Sequence, residues 1–472
     1  MSKKITIEPL TKLEGHGKIT ITLDNKGEVS DAHFHVTEFR GFEKFCEGRM
    51  LWDMPVITTR VCGICPVSHH LASAKACDNL LGVTIPETAK KLRELMHMGQ
   101  FIHSHALHFF FLAAPDMVVG PDADPKDRSV IGILERDPET AKKAIRLRKI
   151  GQEIIDRVGA RPIHPVTAIP GGMSKTLSHE DRFFLLKEID HAINLSEMAV
   201  DLAVKLIEKY PEMVEGLGKP DGRFMGLANN NALELYDGML RLRGKSGDIE
   251  FDPLKYLDYI GEHVEDSSWL KFPFYKKDGW PDGSYRVGPL ARLNVSETIN
   301  TPLAGKRLKE FKAKGNGKPL ENNIYYHWAR TIELLYAAEK AKELLNDDAI
   351  VGDEFRVRVE RKAGEGIGVI EAPRGTLIHH YSADDNGRIK KANLIVATAH
   401  NNRAIDLSVA QAAKYFIKDG KMSEGILNRI EMAVRCYDPC LSCATHAIGK
   451  MPLEVTLFSG NGEQIDAIRR DS

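Results

Sequence analysis

Hydrophobic and polar residues alternate along the first 40 positions of the chain. "KITI" at 4–7 and "GKITITL" at 17–23 lead into the turn "DNKGE", and "VSDAHFHVTEF" at 29–39 resumes the alternation, so strand–turn–strand is predicted. Further on the period becomes helical. Thr84-x-x-Glu87 has the form of a capping box, with Pro86 in the first turn. Leu92, Leu95, Met96, Met98, Phe101, Ile102, His105 and Phe109 then recur at helical spacing to about Ala114. Ser178-x-x-Asp181 opens a second long helix reaching about Tyr210, and 323–347 gives a third. Shorter helices are predicted at 139–157, 404–416 and 424–436. Residues 211–322, rich in Gly, Pro, Asp and Lys, read as irregular insertions. Strand patterns return in "EFRVRVERK" from 354, "TLIHHYS" and "RIKKANLIVAT", and "LEVTLFSGNGEQI" in the tail is hairpin-like. The fold class expected is α+β: a large, mainly helical domain with long central helices and β elements near both termini, which are expected to meet. We read 1–472 as a single domain: a β region at 1–45, a helical core at 46–210, insertions at 211–322, a helix plus β region at 323–446, and a tail at 447–472.

Composition narrows the function. The chain has 472 residues, 43% hydrophobic and 28% charged, with a formal net charge of −1. No basic excess points to nucleic acid or an anionic membrane. The N-terminus has no apolar signal-peptide core. The greasiest run, "HFFFLAAPDMVVG", is broken by Pro115 and Asp116 and falls short of the ~20 residues a membrane helix needs. A cytoplasmic protein that does not span a membrane is expected.

Candidate chemistry lies in the cysteines. There are seven: Cys46, Cys62, Cys65, Cys77, Cys436, Cys440 and Cys443. "RVCGICPVSHH" and "DPCLSCATH" each hold a CxxC pair, followed by His69 and His446. In a reducing compartment such pairs read as metal or redox sites, and four thiolates suit zinc, iron–sulfur or nickel. Structural zinc is the commonest outcome, but zinc ribbons keep their pairs ~15–20 residues apart. A site built from opposite ends of a chain suits chemistry better than local stabilisation. Cys46, Cys77 and Cys436 are too few and too scattered for a four-cysteine iron–sulfur cluster, so none is expected in this chain and electrons must leave through another polypeptide. "GEGIG" at 364–368 lacks a nucleotide-binding pattern.

"RVCGIC…H" with "DPCLSCATH" resembles the paired signatures of nickel–iron hydrogenase large subunits. The likeness continues in order through "LTKLEGHGKI" (10–19), "FRGFE" (39–43), "HALHFFFLAAPD" (105–116), "RPIHPVTAIPGG" (161–172), "YRVGPLARLN" (285–294), "EAPRGTLIHHY" (371–381) and "NLIVATAHN" (393–401). It covers essentially the whole chain and is nearest to the methyl-viologen-reducing class of methanogens, which does not use the deazaflavin coenzyme. The resemblance implies a hydrogenase in which Cys62 and Cys440 are terminal nickel ligands. Cys65 and Cys443 would bridge to an iron carrying CO and two cyanides. Cys440 and then Glu14 would take the proton. Arg374, with Pro373 beside it, would overhang the metals, held by Asp116 and Asp438. Thr398 would donate to a cyanide and His69 to a cysteine sulfur. His105 and His108 read mostly as packing or hydrogen-bonding residues. Glu43, the Leu394 carbonyl and His446 would hold Mg2+ or Fe2+ at a separate site.

Implied partners are an iron–sulfur small subunit, a further iron–sulfur subunit, and a heterodisulfide reductase complex that bifurcates electrons to ferredoxin in methanogenesis. NAD-reducing and deazaflavin-reducing relatives are the alternatives. Two readings of another class stand beside them: structural zinc, or a quinone-site subunit without H2 chemistry. The chain runs 26 residues past His446; in many members of the family a protease cuts just after this histidine once nickel is in place.

Overall fold

The computed structural model describes residues 3–244, 247–360 and 363–445, and the backbone of 453–458 and 464–470. The N-terminal alternation forms a three-stranded antiparallel sheet, β1 (Lys3–Ile7), β2 (Gly17–Leu23) and β3 (Val29–Val36). Its register, Ile5↔Ile21 and Ile19↔Phe34, stacks the apolar positions on one buried face.

Helix α1 (Pro66–Leu81) starts at the first CxxC, with Cys65 as its N-cap residue and Pro66 in its first turn. Helix α2 (Glu87–Leu107) follows the predicted period and runs into a π-helical turn, His108–Ala113, just ahead of Pro115. Proline cannot supply the next backbone donor, so the α-helical ladder is interrupted there. Helix α3 (Pro138–Gly159) is capped by Asp137, which accepts from the Thr140 N–H. Helix α4 (His179–Lys209) is capped by Ser178, which accepts from the Asp181 N–H as its sequence predicts.

A five-stranded sheet follows: β4 (Arg223–Asn229), β5 (Ala232–Leu233), β6 (Met239–Arg243), β7 (Ile249–Phe251) and β8 (Tyr285–Arg286). Helix α5 (Pro289–Val295) packs on β4, and α6 (Tyr325–Asn346) is buried on nearly every side between α2, α4 and α5. A second three-stranded sheet, β9 (Gly364–Ala372), β10 (Gly375–Ala383) and β11 (Ile389–Ile395), is antiparallel and leads directly into α7 (Ala397–Phe416) and α8 (Glu424–Arg435). In the tail, β12 (Leu453–Phe458) and β13 (Gln464–Arg470) form the predicted hairpin.

Helices α2, α3, α4 and α6 pack as the central frame, with small sheets at its flanks, which is the α+β class expected. The two ends of the chain meet as foreseen, but not as one sheet. Glu14 forms a parallel bridge with Cys440, and the Leu441 N–H donates to the Glu14 carbonyl at 2.9 Å.

Three local expectations fail. Thr84 does not cap α2, whose N-cap residue is Pro86 with no side-chain bond. Residues 211–322 are not irregular: the apolar run "RFMGLAN" is the central strand β4, buried along most of its length on both faces, so it shows no alternation. "EFRVRVERK" forms no strand at 354–360. Arg356 makes a single bridge to Gly172, and the segment finds no continuous partner.

Candidate metal centre

The CxxC turn at 62–65 curls around its first sulfur, with the Ile64 and Cys65 N–H groups donating to Cys62 Sγ at 3.2 and 3.4 Å. Cys65 sits at the positive end of a 16-residue helix, which favours a thiolate. Pro439 introduces Cys440, and the short helix Leu441–Ala444 brings Cys443 round to the same side. The pairs face each other. Cys62 Sγ lies 3.3 Å from Cys440 Sγ, Cys65 Sγ lies 3.4 Å from Cys443 Sγ, and the Cys440 and Cys443 sulfurs are 2.7 Å apart. All four sulfurs fall within 4.8 Å of one another and all are buried.

Four buried thiols at this spacing cannot ionise together unaided. Hydrogen bonds from Cys440, Cys443 and Cys62 hold Cys65 well below the usual thiol range. Burial, and then the neighbouring cysteines, push Cys440 well above it, and burial does the same for Cys443 against the hydrogen bond it shares with Cys440. Only a bound cation makes all four thiolates at once.

Glu14 completes the cluster. The Cys440 thiol donates to Glu14 Oε2 at 3.0 Å, and the Ser442 N–H donates to the same oxygen at 3.1 Å. The approach depends on Gly15, at φ +85°: a Cβ there would stand 2.8 Å from Leu441 Cβ and 2.9 Å from the Ser442 nitrogen. Thr398, in the first turn of α7, accepts the Cys440 N–H at 3.0 Å.

Arg374 is buried beside the sulfurs. Its Nε donates to the Asp438 carbonyl at 2.7 Å and its Nη2 to Asp438 Oδ1 at 3.0 Å. Burial works against its charge, but Asp438 and the cysteine sulfurs outweigh it and hold the guanidinium more firmly protonated. Burial in turn raises the Asp438 carboxyl to about 6, against the pull of Arg374 and Arg330. Asp438 adopts φ +54°, a left-handed turn geometry that aspartate tolerates, which lets carbonyl and carboxylate reach the same guanidinium.

Asp116 does not hold Arg374. Its carboxylate is taken by Lys12 and by Arg435 Nη1 at 2.8 Å, with Arg128 at 3.9 Å. These three cations meet it first, because α8 and the N-terminal loop close over the end of α2.

The structure adds groups that the sequence left unassigned. Arg292 of α5 is fully buried, and it grips Glu333 with two nitrogens at 2.6 Å and Glu371 at 2.7 Å. It also donates to the carbonyls of Ala372 at 2.8 Å and Pro373 at 3.1 Å, the two residues before Arg374. Arg292 and Glu371 both lie in the quoted segments "YRVGPLARLN" and "EAPRGTLIHHY", which was the available signal. His105 Nε2 contacts Glu333 at 3.1 Å, and His108 Nε2 donates to the Arg435 carbonyl at 2.9 Å, so both serve as buried hydrogen-bonding residues.

Of the residues expected at a separate ion site, Glu43 Oε1 accepts the Leu394 N–H at 2.8 Å, and burial raises the Glu43 carboxyl. His446 lies outside the described residues. Cys46, Cys77 and Cys436 are buried, and burial pushes their thiols up, Cys46 and Cys436 to about 12.

Four soft sulfur donors fit nickel, iron or zinc equally by type. Two further observations favour a reactive centre. A structural zinc site has no use for a carboxylate hydrogen-bonded to one of its thiols. Arg374 Nη1 and His69 Nε2, both buried around the sulfurs, have no hydrogen-bond partner in the protein. A donor such as Arg374 Nη1 left unpaired in the interior costs about 1–3 kcal/mol, so a polar acceptor bound there is called for.

Known proteins match this arrangement. A family model described as nickel-dependent hydrogenase matches residues 40–158 and 235–446, and one described as HoxL-like matches 4–39. One chain of the vhu F420-non-reducing hydrogenase of Methanococcus voltae is 51% identical over 88% of this chain and 99% of its own length. The beta chain of the NAD-reducing hydrogenase HoxS of Cupriavidus necator is 42% identical over 99% of both. A crystal structure of an NAD+-reducing [NiFe]-hydrogenase in the H2-reduced state superposes with a TM-score of 0.91, at 45% identity, over 94% of this chain and 99% of that one. The chain therefore belongs to the nickel-dependent hydrogenase family, as the large subunit of an oxidoreductase of that kind.

Proposed function

We propose that this chain cleaves H2 reversibly and heterolytically, and that Cys62, Cys65, Cys440 and Cys443 would hold a nickel–iron pair whose iron would carry CO and two cyanides. When bound, such a pair supplies the soft, electron-accepting centre that the reaction needs. The observation that carries the reading is the 3.0 Å contact of Cys440 Sγ with Glu14 Oε2 inside the four-cysteine cluster. Cys440 takes the proton first and passes it to Glu14, which is already at hydrogen-bond distance. The Ser442 N–H keeps the Glu14 carboxylate aimed at the sulfur when the proton has left. Arg374, held by Asp438 with its Nη1 unpartnered, would offer the Nη1 hydrogen to one cyanide, and the Thr398 hydroxyl would offer its hydrogen to the other. Pro373, whose carbonyl Arg292 grips, fixes the start of the Arg374 loop. Asp116 acts at one remove, by neutralising Arg435 and Lys12. Glu43, the Leu394 carbonyl and His446 would hold Mg2+ or Fe2+.

Among the described residues the remaining cysteines are isolated and un-ionised, so electrons leave through an iron–sulfur small subunit. Identity to F420-non-reducing hydrogenases supports a heterodisulfide reductase complex reached through a further iron–sulfur subunit, with bifurcation to ferredoxin, in a cytoplasmic hetero-oligomer. The similarity to an NAD-reducing enzyme keeps an NAD-linked partner as the second reading. No helix among the described residues is long and apolar enough to cross a membrane. Infrared spectroscopy of the purified complex tests the centre: bands from one metal-bound CO and two cyanides are expected, and a zinc protein without them would overturn the proposal.

A further inference from the structure

Strand β8 pairs with β4 only at Tyr285↔Arg223 and Arg286↔Phe224. Val287, the next residue, lies past the last strand pair and is fully buried. Its N–H and C=O must still find partners. Side chains supply them. The Val287 N–H donates to Asn401 Oδ1 at 2.8 Å, and Asn401 Nδ2 donates to the Val287 carbonyl at 3.3 Å. The Tyr326 hydroxyl donates to the same carbonyl at 3.0 Å. Beside Asn401 on α7, His400 Nδ1 lies 2.6 Å from the Tyr285 hydroxyl. All four of these side chains are buried. Residues 285–288 thus form a strap tied to α7 by two consecutive residues and to α6 by Tyr326.

The strap lies against the turn between β9 and β10 that carries Arg374. At Gly288, φ +94°, a Cβ would stand 2.7 Å from the Arg374 carbonyl oxygen. At Gly375, φ +137°, a Cβ would stand 2.2 Å from Val287 Cγ2 and 2.9 Å from the Gly288 nitrogen. The two backbones come this close only because both residues are glycine. Helix α7 also reaches the second cysteine pair, where Thr398 accepts the Cys440 N–H at 3.0 Å. Thr398 and Asn401 are three residues apart, neighbours on one helix face with a rise of about 4.5 Å between them. One turn of α7 therefore carries the Thr398 hydroxyl to Cys440 and, through Asn401, carries the strap that backs the Arg374 turn.

We propose that Asn401 and Tyr326 are positioning residues: they fix the Val287–Gly288 strap and so hold the Arg374 turn in register with Thr398. The proposal rests on the reading of the four cysteines as nickel–iron ligands, with Arg374 and Thr398 each a donor to one cyanide, and the two fail differently. The experiment uses the purified holoenzyme and its Asn401→Ala and Tyr326→Phe variants, with Arg374→Lys and Thr398→Val as references. Nickel and iron content is measured first, and then the cyanide stretching bands by infrared spectroscopy.

A bound cyanide that loses a hydrogen-bond donor changes its stretching frequency, so each reference variant is expected to move one band and thereby assign it. Asn401→Ala is expected to move the Arg374 band and leave the Thr398 band in place, at full metal content. Tyr326→Phe, which keeps both Asn401 bonds, is expected to move the same band by a smaller amount. A side chain that only stabilised the fold would lower Tm and leave both bands alone. Parental bands in Asn401→Ala at full metal content, or movement of the Thr398 band, overturn the proposal. If that variant fails to retain metal, Tyr326→Phe decides alone, and parental bands there overturn it. A parent without cyanide bands, or with bands that neither reference variant moves, overturns the underlying reading of the centre, and this proposal with it.

Discussion

Replacing Glu14 by Gln isolates the proton step. The side chains are nearly isosteric, so the amide oxygen can still accept the Ser442 N–H and the amide nitrogen can face Cys440 Sγ, across the distances of 3.1 and 3.0 Å found for the carboxylate. The Gly15 turn and the bridge to Cys440 use backbone groups and are untouched. What disappears is the acceptor for the Cys440 proton. Loss of a positioned acid–base group lowers rates by about 10²- to 10⁴-fold, about 3–5 kcal/mol on the barrier. The assay is exchange between D2 and solvent protons, followed by mass spectrometry on enzyme whose metal content has been matched to the parent. Exchange is expected to fall by that factor with nickel and iron unchanged. Exchange at the parental rate would show that the proton leaves Cys440 by another path and would refute the reasoning.

Arg374→Met leaves Asp438 buried without its guanidinium, and loss of H2 oxidation with retained nickel is expected, read by activity and metal analysis together. Arg292→Met strands Glu333 and Glu371, each fully buried, and should cost about 3–5 kcal/mol in denaturant unfolding. Asp116→Asn should destabilise through Lys12 and Arg435 while leaving Arg374 on Asp438. A crystal structure of that variant with Arg374 displaced would contradict the assignment. Glu94 gives a pH test remote from the metals. Burial, then Glu234, raises its carboxyl from 4.5 to about 7. A carboxyl raised on folding binds protons more tightly in the native state, so stability falls as pH rises from about 4.5 to about 7. Glu94→Gln should remove that slope, gaining at most roughly 3 kcal/mol at pH 8 relative to pH 5. An unchanged difference in Tm between the two pH values would contradict it.

The cysteine pairs were legible because ligand chemistry is written in local spacing, and the EGH and CATH neighbourhoods carried their own cues. Glu14 and Thr398 both lie beside Cys440. Asp116 did not follow, because a motif fixes which residue is present but not which of several cations reaches it. Lys12, Arg128 and Arg435 come from three distant segments, and only folding ranks them against Arg374. Long helices were readable from their period and, in α4, from the Ser178 cap. Strand β4 was not, because burial on both faces erases alternation. "EFRVRVERK" erred in the other direction: alternation without a neighbouring strand edge makes an extended segment, not a sheet. Two glycines of "GEGIG", Gly366 and Gly368, set aside as part of a weak nucleotide pattern, prove to be spacing residues between β9 and α1.

The central claim is that Cys62, Cys65, Cys440 and Cys443 hold nickel and iron together. Elemental analysis of the purified complex, set beside a Cys440→Ala variant, tests it most directly. The account predicts nickel in near-equal amount to the chain, accompanied by iron, and nickel lost from the variant with the protein still folded. Zinc as the metal of the parent, or nickel undiminished in Cys440→Ala, would contradict it.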